Sequence, residues 1–543
     1  MTTPLRGTVT WLPTRFGLIP RLGAIIAVLV AETLLLSYLR QGVPLESLVG
    51  FAAVVDNLQH WLFRFMIAYA ASFALLVYLR GRGTLDAISA TGLEAPIRIS
   101  WLVVHALLLI PFAAAAALYG HPLAAPFPAL AIGWRAFAAA GAVALFAAMA
   151  PLGVWIRAVR QTAPLPWVAL LPAAAAMLAI RGSQLLWGPA AQITFRLVQI
   201  LVRPLCPSLH SDFATLTVAT DQFEVTISEV CSGLEGVGLM LAFCTAWLWY
   251  FRREYYFPRA LIIVPLAALL VFFLNAVRIA ALVLIGDAGY AQIAMFGFHS
   301  QAGWIAFNLA AFGVAILASR SPWLNRTARQ PRASTNDGTA AYLMPLLAIL
   351  AAGMLAHALS AGFDLLYPLR LACAAVVLWA YRHRYRELDW RASWRGIATG
   401  VLIFGVWVEF AYFMTKPAAI PAALTQLPGP LSGAWVASRA AAAIITVPIA
   451  EELAYRGYLL RRLAKADFES VALREVRWPA LVMSSIVFGI THGSLWLPGL
   501  AAGLAYGALA MKSGRIGESV AAHATTNGLL AGYVLIFNQW QLW

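Results

Sequence analysis

Cys231 stands where a polar segment gives way to an apolar run, in Thr226-Ile-Ser-Glu-Val-Cys-Ser-Gly-Leu-Glu-Gly. Two other polar residues hold comparable places downstream. Arg278 lies near one end of a long apolar run, in Asn275-Ala-Val-Arg-Ile, and His299 just ahead of another, in Phe298-His-Ser-Gln-Ala-Gly-Trp304. A thiol, a base and a permanent cation brought to one surface make an acyl-transfer site. A cysteine at a helix N-terminus sees the positive end of the helix dipole, which favours thiolate. His299 can take its proton and return it to a leaving amine. Arg278 keeps its charge and suits an oxyanion or a substrate carboxylate. Asn275, three residues earlier, shares its helical face and can orient it. Each residue alone has a plainer role: packing for the cysteine, snorkelling for the arginine, solvation for the histidine. Their agreement in depth and sidedness is what favours a site.

A second set lies in the C-terminal half. Ile449-Ala-Glu-Glu-Leu-Ala-Tyr-Arg-Gly457 puts two carboxylates and an arginine on one helix, Phe488-Gly-Ile-Thr-His492 follows, and His523-Ala-Thr-Thr-Asn527 closes it. Adjacent glutamates are costly beside lipid and must face a polar cavity or partners. Glu452 and Arg456 can pair at helical spacing. Glu451 is then free to act as a base toward water, helped by His492. His523 and Asn527, four apart on one face, can donate to an oxyanion. The plainer account is a structural ion pair with unrelated histidines. Two histidines and a glutamate could also bind zinc, but no His-Glu-x-x-His is present. We expect no metal and no cofactor.

The elements that must position these residues are membrane helices. The 543-residue chain is 62% hydrophobic and only 11% charged. Long apolar runs separated by short arginine-rich segments read as an all-α polytopic membrane protein, since one crossing needs roughly 20 residues. Between Gly17 and Phe537 there is room for more than a dozen crossings, and the first run reads as an anchor, not a cleaved signal. The net charge of +15 is best explained by positive loops that orient the helices, not by nucleic acid. Of the four cysteines, Cys244 and Cys373 sit in apolar runs and read as packing residues. A Cys206–Cys231 bridge is conceivable on an oxidising face and would silence the nucleophile.

Composition breaks once, at a basic, Pro-containing stretch from Arg320 to Gly338. The expected division is a membrane domain over 1–320, a cytoplasmic linker over 321–339 and a second membrane domain over 340–543. One segment departs from the membrane pattern. From His210 to Val230, partial alternation predicts a short hairpin or strand pair outside the lipid. Placing the clusters Arg80–Arg82, Arg157–Arg160, Arg252–Arg259 and Arg320–Arg332 inside makes the run 233–250 travel inward, 260–285 outward and 303–318 inward. Cys231, Arg278 and His299 then share the outer side. The second half is harder. A simple outward helix from Trp478 would carry His492 away from Glu451.

Cys231-Ser-Gly, Asn275-Ala-Val-Arg278-Ile and His299 with Gly303-Trp304 resemble the exosortase signature, over roughly 20–320. The resemblance implies that Cys231, Arg278 and His299 are catalytic. It also implies a substrate class: exported proteins with a C-terminal sorting signal made of a short Pro-containing motif, a transmembrane helix and a basic tail. Glu235, just after Cys-Ser-Gly, departs from what a thiolate prefers. The ordered Glu-Glu-x-x-x-Arg, Phe-x-x-x-His and His-x-x-x-Asn set is similar to the CAAX-processing and bacteriocin-processing intramembrane proteases (CPBP), over roughly 340–540. It implies a glutamate-dependent peptidase in a membrane cavity. The combination resembles the exosortase E/protease subgroup, linked to VPEID-CTERM substrates of Gram-negative bacteria. It implies a multi-pass protein of the bacterial inner membrane with its first site facing the periplasm, and membrane lipid and exported proteins as partners. Two rival readings stand beside this one. A transporter could use buried Arg278, Glu409, Glu451 and Glu452 as an ion path, although the halves show no related repeat. A non-catalytic scaffold would not need both motif sets.

Overall fold

The computed structural model describes residues 17–18, 21–26, 28–29, 32, 51–80, 82–91, 95–119, 128–326, 338–416 and 418–543. Much of the expected N-terminal anchor, and 327–337 of the expected linker, lie outside the described residues. The chain divides into two compact units, Met1–Leu186 and Trp187–Trp543. Both sets of candidate residues fall in the second unit.

Among the described residues, nine helices are long and apolar enough to cross a bilayer, or ten if one bent pair counts as a single span. Each of the nine buries only 17–39% of its most apolar window inside the protein. Side chains such as Leu269 and Phe312, each about two-thirds exposed, therefore face outward and need lipid around them. Short strands make the one small sheet, and the protein is an all-α polytopic membrane protein.

In the first unit the helices include α1 (Phe51–Arg80), α2 (Ile99–Tyr119) and α3 (Pro128–Met149), and of these α3 is long and apolar enough to cross a bilayer. Gly141 lets α3 approach α2 closely, and its carbonyl lies 2.9 Å from His105 Nδ1. Small residues serve such close helix packing where no hydrophobic force acts between helices. The long helix α4 (Leu170–Val202) leads from this unit into the second.

After α4 comes the segment that sequence alternation sets apart. It forms three strands, not two: β1 (His210–Asp212), β2 (Thr217–Ala219) and β3 (Glu224–Thr226), all antiparallel in that order. Its apolar side docks on α4, with Val218 and Ile227 packed among Phe195, Val198 and Val202. That docking fixes the point from which the chain enters the Cys231 turn.

Three helices frame the first set: α5 (Leu234–Tyr250), α6 (Ile263–Asp287), which carries Asn275 and Arg278, and α7 (Ile293–Arg320), which carries His299. The core between α5 and α6 holds Met240, Cys244, Ala267 and Val271. Aromatic residues and arginines gather where α5 ends, with Arg252 over Trp249 and Arg259 over Tyr256 and Trp323. Such belts mark a membrane–water boundary. The first residues of the expected linker are folded against this end. Arg326 N donates to Glu254 O at 2.8 Å, and Asn325 bridges to Tyr255.

The C-terminal helices are α8 (Gly338–Ala358), α9 (Pro368–Ala380), α10 (Trp394–Met414), α11 (Gly429–Ala464), α12 (Trp478–Ile490), α13 (Trp496–Ser513) and α14 (Ile516–Phe537). Their starts follow local chemistry. Pro occupies the first turn of α9 and α12, where its missing N–H is not needed. Ser393 caps α10 by accepting from Arg395 N. Gly514, at φ +74°, ends α13 in the left-handed conformation.

Two features of α11 and α12 bring the second set together. Pro448 lies inside α11 and cannot supply an N–H to the ladder. The helix widens to π winding over Ala442–Thr446 and again over Leu453–Leu459, on either side of Glu451 and Glu452. Helix α12 has only 13 residues, about 20 Å at 1.5 Å per residue, against a hydrocarbon core of about 30 Å. It stops partway, and His492 follows at its end. Glu451 precedes the end of α11 by a similar length of helix. The difficulty of an outward α12 carrying His492 past Glu451 is thereby removed.

Candidate active sites

Cys231 lies in a single 3-10 turn, Glu229–Ser232, that precedes α5 and is not yet part of it. Gly233 joins the two at φ +89°, which a residue with a Cβ rarely adopts. A Cβ there would also come within 2.9 Å of Asn275 Nδ2. That amide is close because it donates to the Cys231 carbonyl at 2.9 Å. Asn275 thus differs from its expected role: it holds the Cys231 turn, although it shares the helix of Arg278. Thr194 Oγ1 on α4 donates to the next carbonyl, that of Ser232, at 3.0 Å. The Ser228 hydroxyl lies 3.6 Å from Cys231 Sγ.

Arg278 lies past the middle of α6, half-buried. Its charge acts on Cys231 and Glu235, and it also acts on His299. Among the described residues no hydrogen bond joins His299 to Cys231. His299 is also not the first residue of its span. Ile293–Phe298 winds as π-helix ahead of it, so it lies six residues into a continuous apolar helix. Gly303, one turn further, makes room for the guanidinium, since a Cβ there would approach Arg278 Nη1 to 2.9 Å.

A cavity of about 220 Å³ opens between α5, α6 and α7, lined by Gly233, Glu235, Asn275, Arg278, Gly303 and Trp304 among others. Its walls are apolar apart from Glu235, Asn275, Arg278 and Ser300, and neither Cys231 nor His299 is among the residues that line it. All four cysteines are free. Cys206 is buried, with its thiol 3.6 Å from Asp287 Oδ2, and so is not bridged to Cys231.

A second cavity of about 220 Å³ is lined by Glu451, His492, His523 and Asn527, with Tyr367, Trp407, Phe488, Tyr506 and Trp543 among its apolar walls. The four candidate residues come from two helices, α11 and α14, and the turn after α12. Below them lies a buried charge cluster. Glu452, 0% exposed, accepts from Arg456 Nη1 at 2.8 Å and from His523 Nδ1 at 3.0 Å on the same oxygen. Arg456 is covered by the rings of Phe488 and Tyr506, at 4.5 and 5.5 Å, and also donates to the Gly503 carbonyl. The pairing of Glu452 with Arg456 was legible from spacing. Its hold on His523 was not, because the two are 71 residues apart.

This hold sets the imidazole. With Nδ1–H given to Glu452, His523 turns Nε2 toward Glu451, 3.9 Å from Oε2. His523 therefore belongs to the carboxylate pair more than to a separate oxyanion group. His492 Nδ1 donates to the Phe488 carbonyl at 2.7 Å, which leaves Nε2 for the cavity. Asn527 spends one amide hydrogen on the Ala443 carbonyl, in the first π segment of α11. It retains one for a ligand. Glu451 Oε2 has no hydrogen-bond partner in this arrangement, so its carboxylate has an unengaged oxygen beside the cavity. Glu409 is exposed on α10 and lines neither cavity.

Comparison with known proteins meets both sets. Residues 206–317 match the family described as transmembrane exosortase, and the span includes Cys231, Asn275, Arg278 and His299. Residues 433–529 match the family described as type II CAAX prenyl endopeptidase Rce1-like, and the span includes Glu451, Glu452, Arg456, His492, His523 and Asn527. No curated protein and no solved structure matches the chain. The protein is thus a multi-pass membrane protein of the peptidase kind, in which one polypeptide joins a region similar to transmembrane exosortases to a region similar to Rce1-like CAAX endopeptidases.

Proposed function

We propose that the chain is a bifunctional membrane processing enzyme, with a cysteine-dependent site in its exosortase-like part and a glutamate-dependent site in its endopeptidase-like part. The observation that carries this reading is convergence. Glu451, His492, His523 and Asn527 line one cavity, while Asn275 and Arg278 line another. Asn275 is bonded to the Cys231 carbonyl, and the wall of that second cavity includes Ser300, next to His299, and Gly233, just beyond Cys231-Ser232.

At the first site the Cys231 thiolate adds to the carbonyl carbon of the scissile peptide. The C–N bond breaks, and His299 gives the departing amine the proton it took from the thiol. Arg278 stabilises the charge that develops on the carbonyl oxygen. Water or an amine acceptor then opens the thioester and restores the thiol. The substrate is an exported protein with a C-terminal signal of a Pro-containing motif, a membrane helix and a basic tail. The site faces the periplasmic side of a bacterial inner membrane, as the arginine clusters suggest. The division into 1–320, 321–339 and 340–543 belongs to the same proposal.

At the second site Glu451 takes a proton from water, and the hydroxide adds to a peptide carbonyl. The proton passes to the leaving amine as the bond breaks. His492 assists the water, and the remaining Asn527 donor meets the oxyanion.

The decisive test is tail removal from a reporter bearing such a signal. Cys231→Ala and Cys231→Ser abolish it while the protein still inserts in the membrane. A fully active Cys231→Ala protein would refute the first half of the proposal.

A further inference from the structure

Two consecutive carbonyls of the nucleophile turn are each held by a side chain from a different membrane helix. Asn275 on α6 holds that of Cys231, and Thr194 on α4 holds that of Ser232. Thr194 and Ser232 are 0% and 1% exposed. A threonine inside a helix commonly returns its hydroxyl to a carbonyl one turn back. Thr245 does so to Leu241, and Thr525 does so to Ala521. The hydroxyl of Thr194 reaches a residue 38 positions along the chain instead. It lies outside the span that matches the exosortase family, and it does not line the cavity beside Arg278.

The local geometry gives this bond a purpose. Gly233 at φ +89° interrupts the helical winding between the Cys231 turn and α5. A turn so joined can pivot about the glycine unless its peptide units are tied. One tie leaves a peptide free to swing about that bond. Two ties, on successive carbonyls and from two helices, fix the peptide planes on both sides of the Ser232 Cα, and the Cys231 N–H, donated to the Ser228 carbonyl at 2.9 Å, fixes the plane before Cys231. The direction of the Cys231 side chain follows from those planes.

We infer that Thr194 is a positioning residue of the thiol site, acting with Asn275 to fix the direction in which the Cys231 turn presents Sγ. This rests on Cys231 being the nucleophile of the proposed reaction. Thr194 touches no reacting atom, so removal of its hydroxyl acts on the chemical step and not on substrate binding.

The test uses the full chain in lipid nanodiscs, with Thr194→Val (same shape, no hydroxyl), Thr194→Ser (hydroxyl kept) and Thr194→Ala (no hydroxyl, no added bulk). Tail removal gives kcat and KM. Iodoacetamide modification of Cys231, followed by mass spectrometry of its peptide, reports the thiol without any substrate. Thr194→Val is expected to lower kcat about tenfold or more, as small misplacements of a reacting group do, with KM within about twofold, and to change the rate of Cys231 alkylation. Thr194→Ser is expected to restore both. If the valine protein fails to insert, Thr194→Ala is read on the monodisperse fraction. Unchanged kcat and alkylation in a variant lacking the hydroxyl would overturn the inference. So would a serine protein as impaired as the valine one, because packing of the methyl group would then be the cause. Retained tail removal in Cys231→Ala would instead defeat the nucleophile reading, and the alkylation rates separate the two failures.

Discussion

Glu452→Gln perturbs the second site through a single oxygen. Oε1 of Glu452 is the acceptor for both Arg456 Nη1 and His523 Nδ1, at 2.8 and 3.0 Å. Glu452 is 0% exposed and Arg456 2%. Glutamine keeps an oxygen that can accept from His523, but it leaves the Arg456 cation without its counter-charge. Removing one partner of a buried pair destabilises by about 3–5 kcal/mol. The low end, about 3 kcal/mol, fits here, because Arg456 keeps the Gly503 carbonyl and the faces of Phe488 and Tyr506. The second consequence is chemical. The imidazole loses the charge that holds its Nδ1–H, and Nε2 no longer faces Glu451 reliably. Loss of such an orienting partner lowers activity about 10- to 100-fold. Thermal unfolding in detergent, followed by size-exclusion, reads the first effect, and peptide cleavage by the remaining folded protein reads the second. Glu452→Gln should unfold at lower temperature and cleave slowly, whereas Glu451→Gln should unfold like wild type and not cleave. Wild-type stability and cleavage in Glu452→Gln would refute the reasoning, since a cation this enclosed cannot lose its counter-charge without effect.

Glu451→Gln should leave Cys231-dependent tail removal intact, because the two cavities share no residue; loss of both activities would show that the sites are not independent. Metal chelators should not inhibit peptide cleavage if water is activated by Glu451 and His492 alone, and inhibition reversed by zinc would replace that chemistry with a metal-assisted one. Arg278→Lys should lose most tail removal, because an ammonium on a flexible stem does not reproduce a planar fork; activity within about twofold of wild type would mark Arg278 as a snorkelling residue. A membrane-impermeant thiol reagent applied to intact spheroplasts should label Cys231, and labelling only after the membrane is opened would reverse the orientation drawn from the arginine clusters.

The amino-acid sequence by itself determined the fold class and picked out both sets of candidate residues. Those signals are local. A run of apolar residues long enough to span lipid can satisfy its backbone only as a helix, and Glu452 and Arg456 meet at i, i+4 wherever the helix lies. Short motifs such as Cys231-Ser-Gly and Asn275-Ala-Val-Arg-Ile carry their chemistry with them. Even the strand pattern of 210–230 was visible as alternation, though not its third strand.

What each side chain does was decided by packing. Asn275 holds the Cys231 carbonyl, and Thr194 the carbonyl of Ser232, only because α4 and α6 flank the same turn. His523 is oriented by Glu452 across 71 residues. His492 and Glu451 line one cavity because α12 is short and α11 is widened by π turns near Pro448. None of these relations has a period or a spacing in sequence. A hydrogen bond between distant segments depends on the depth at which each helix stops and the face it presents, and helix packing sets both.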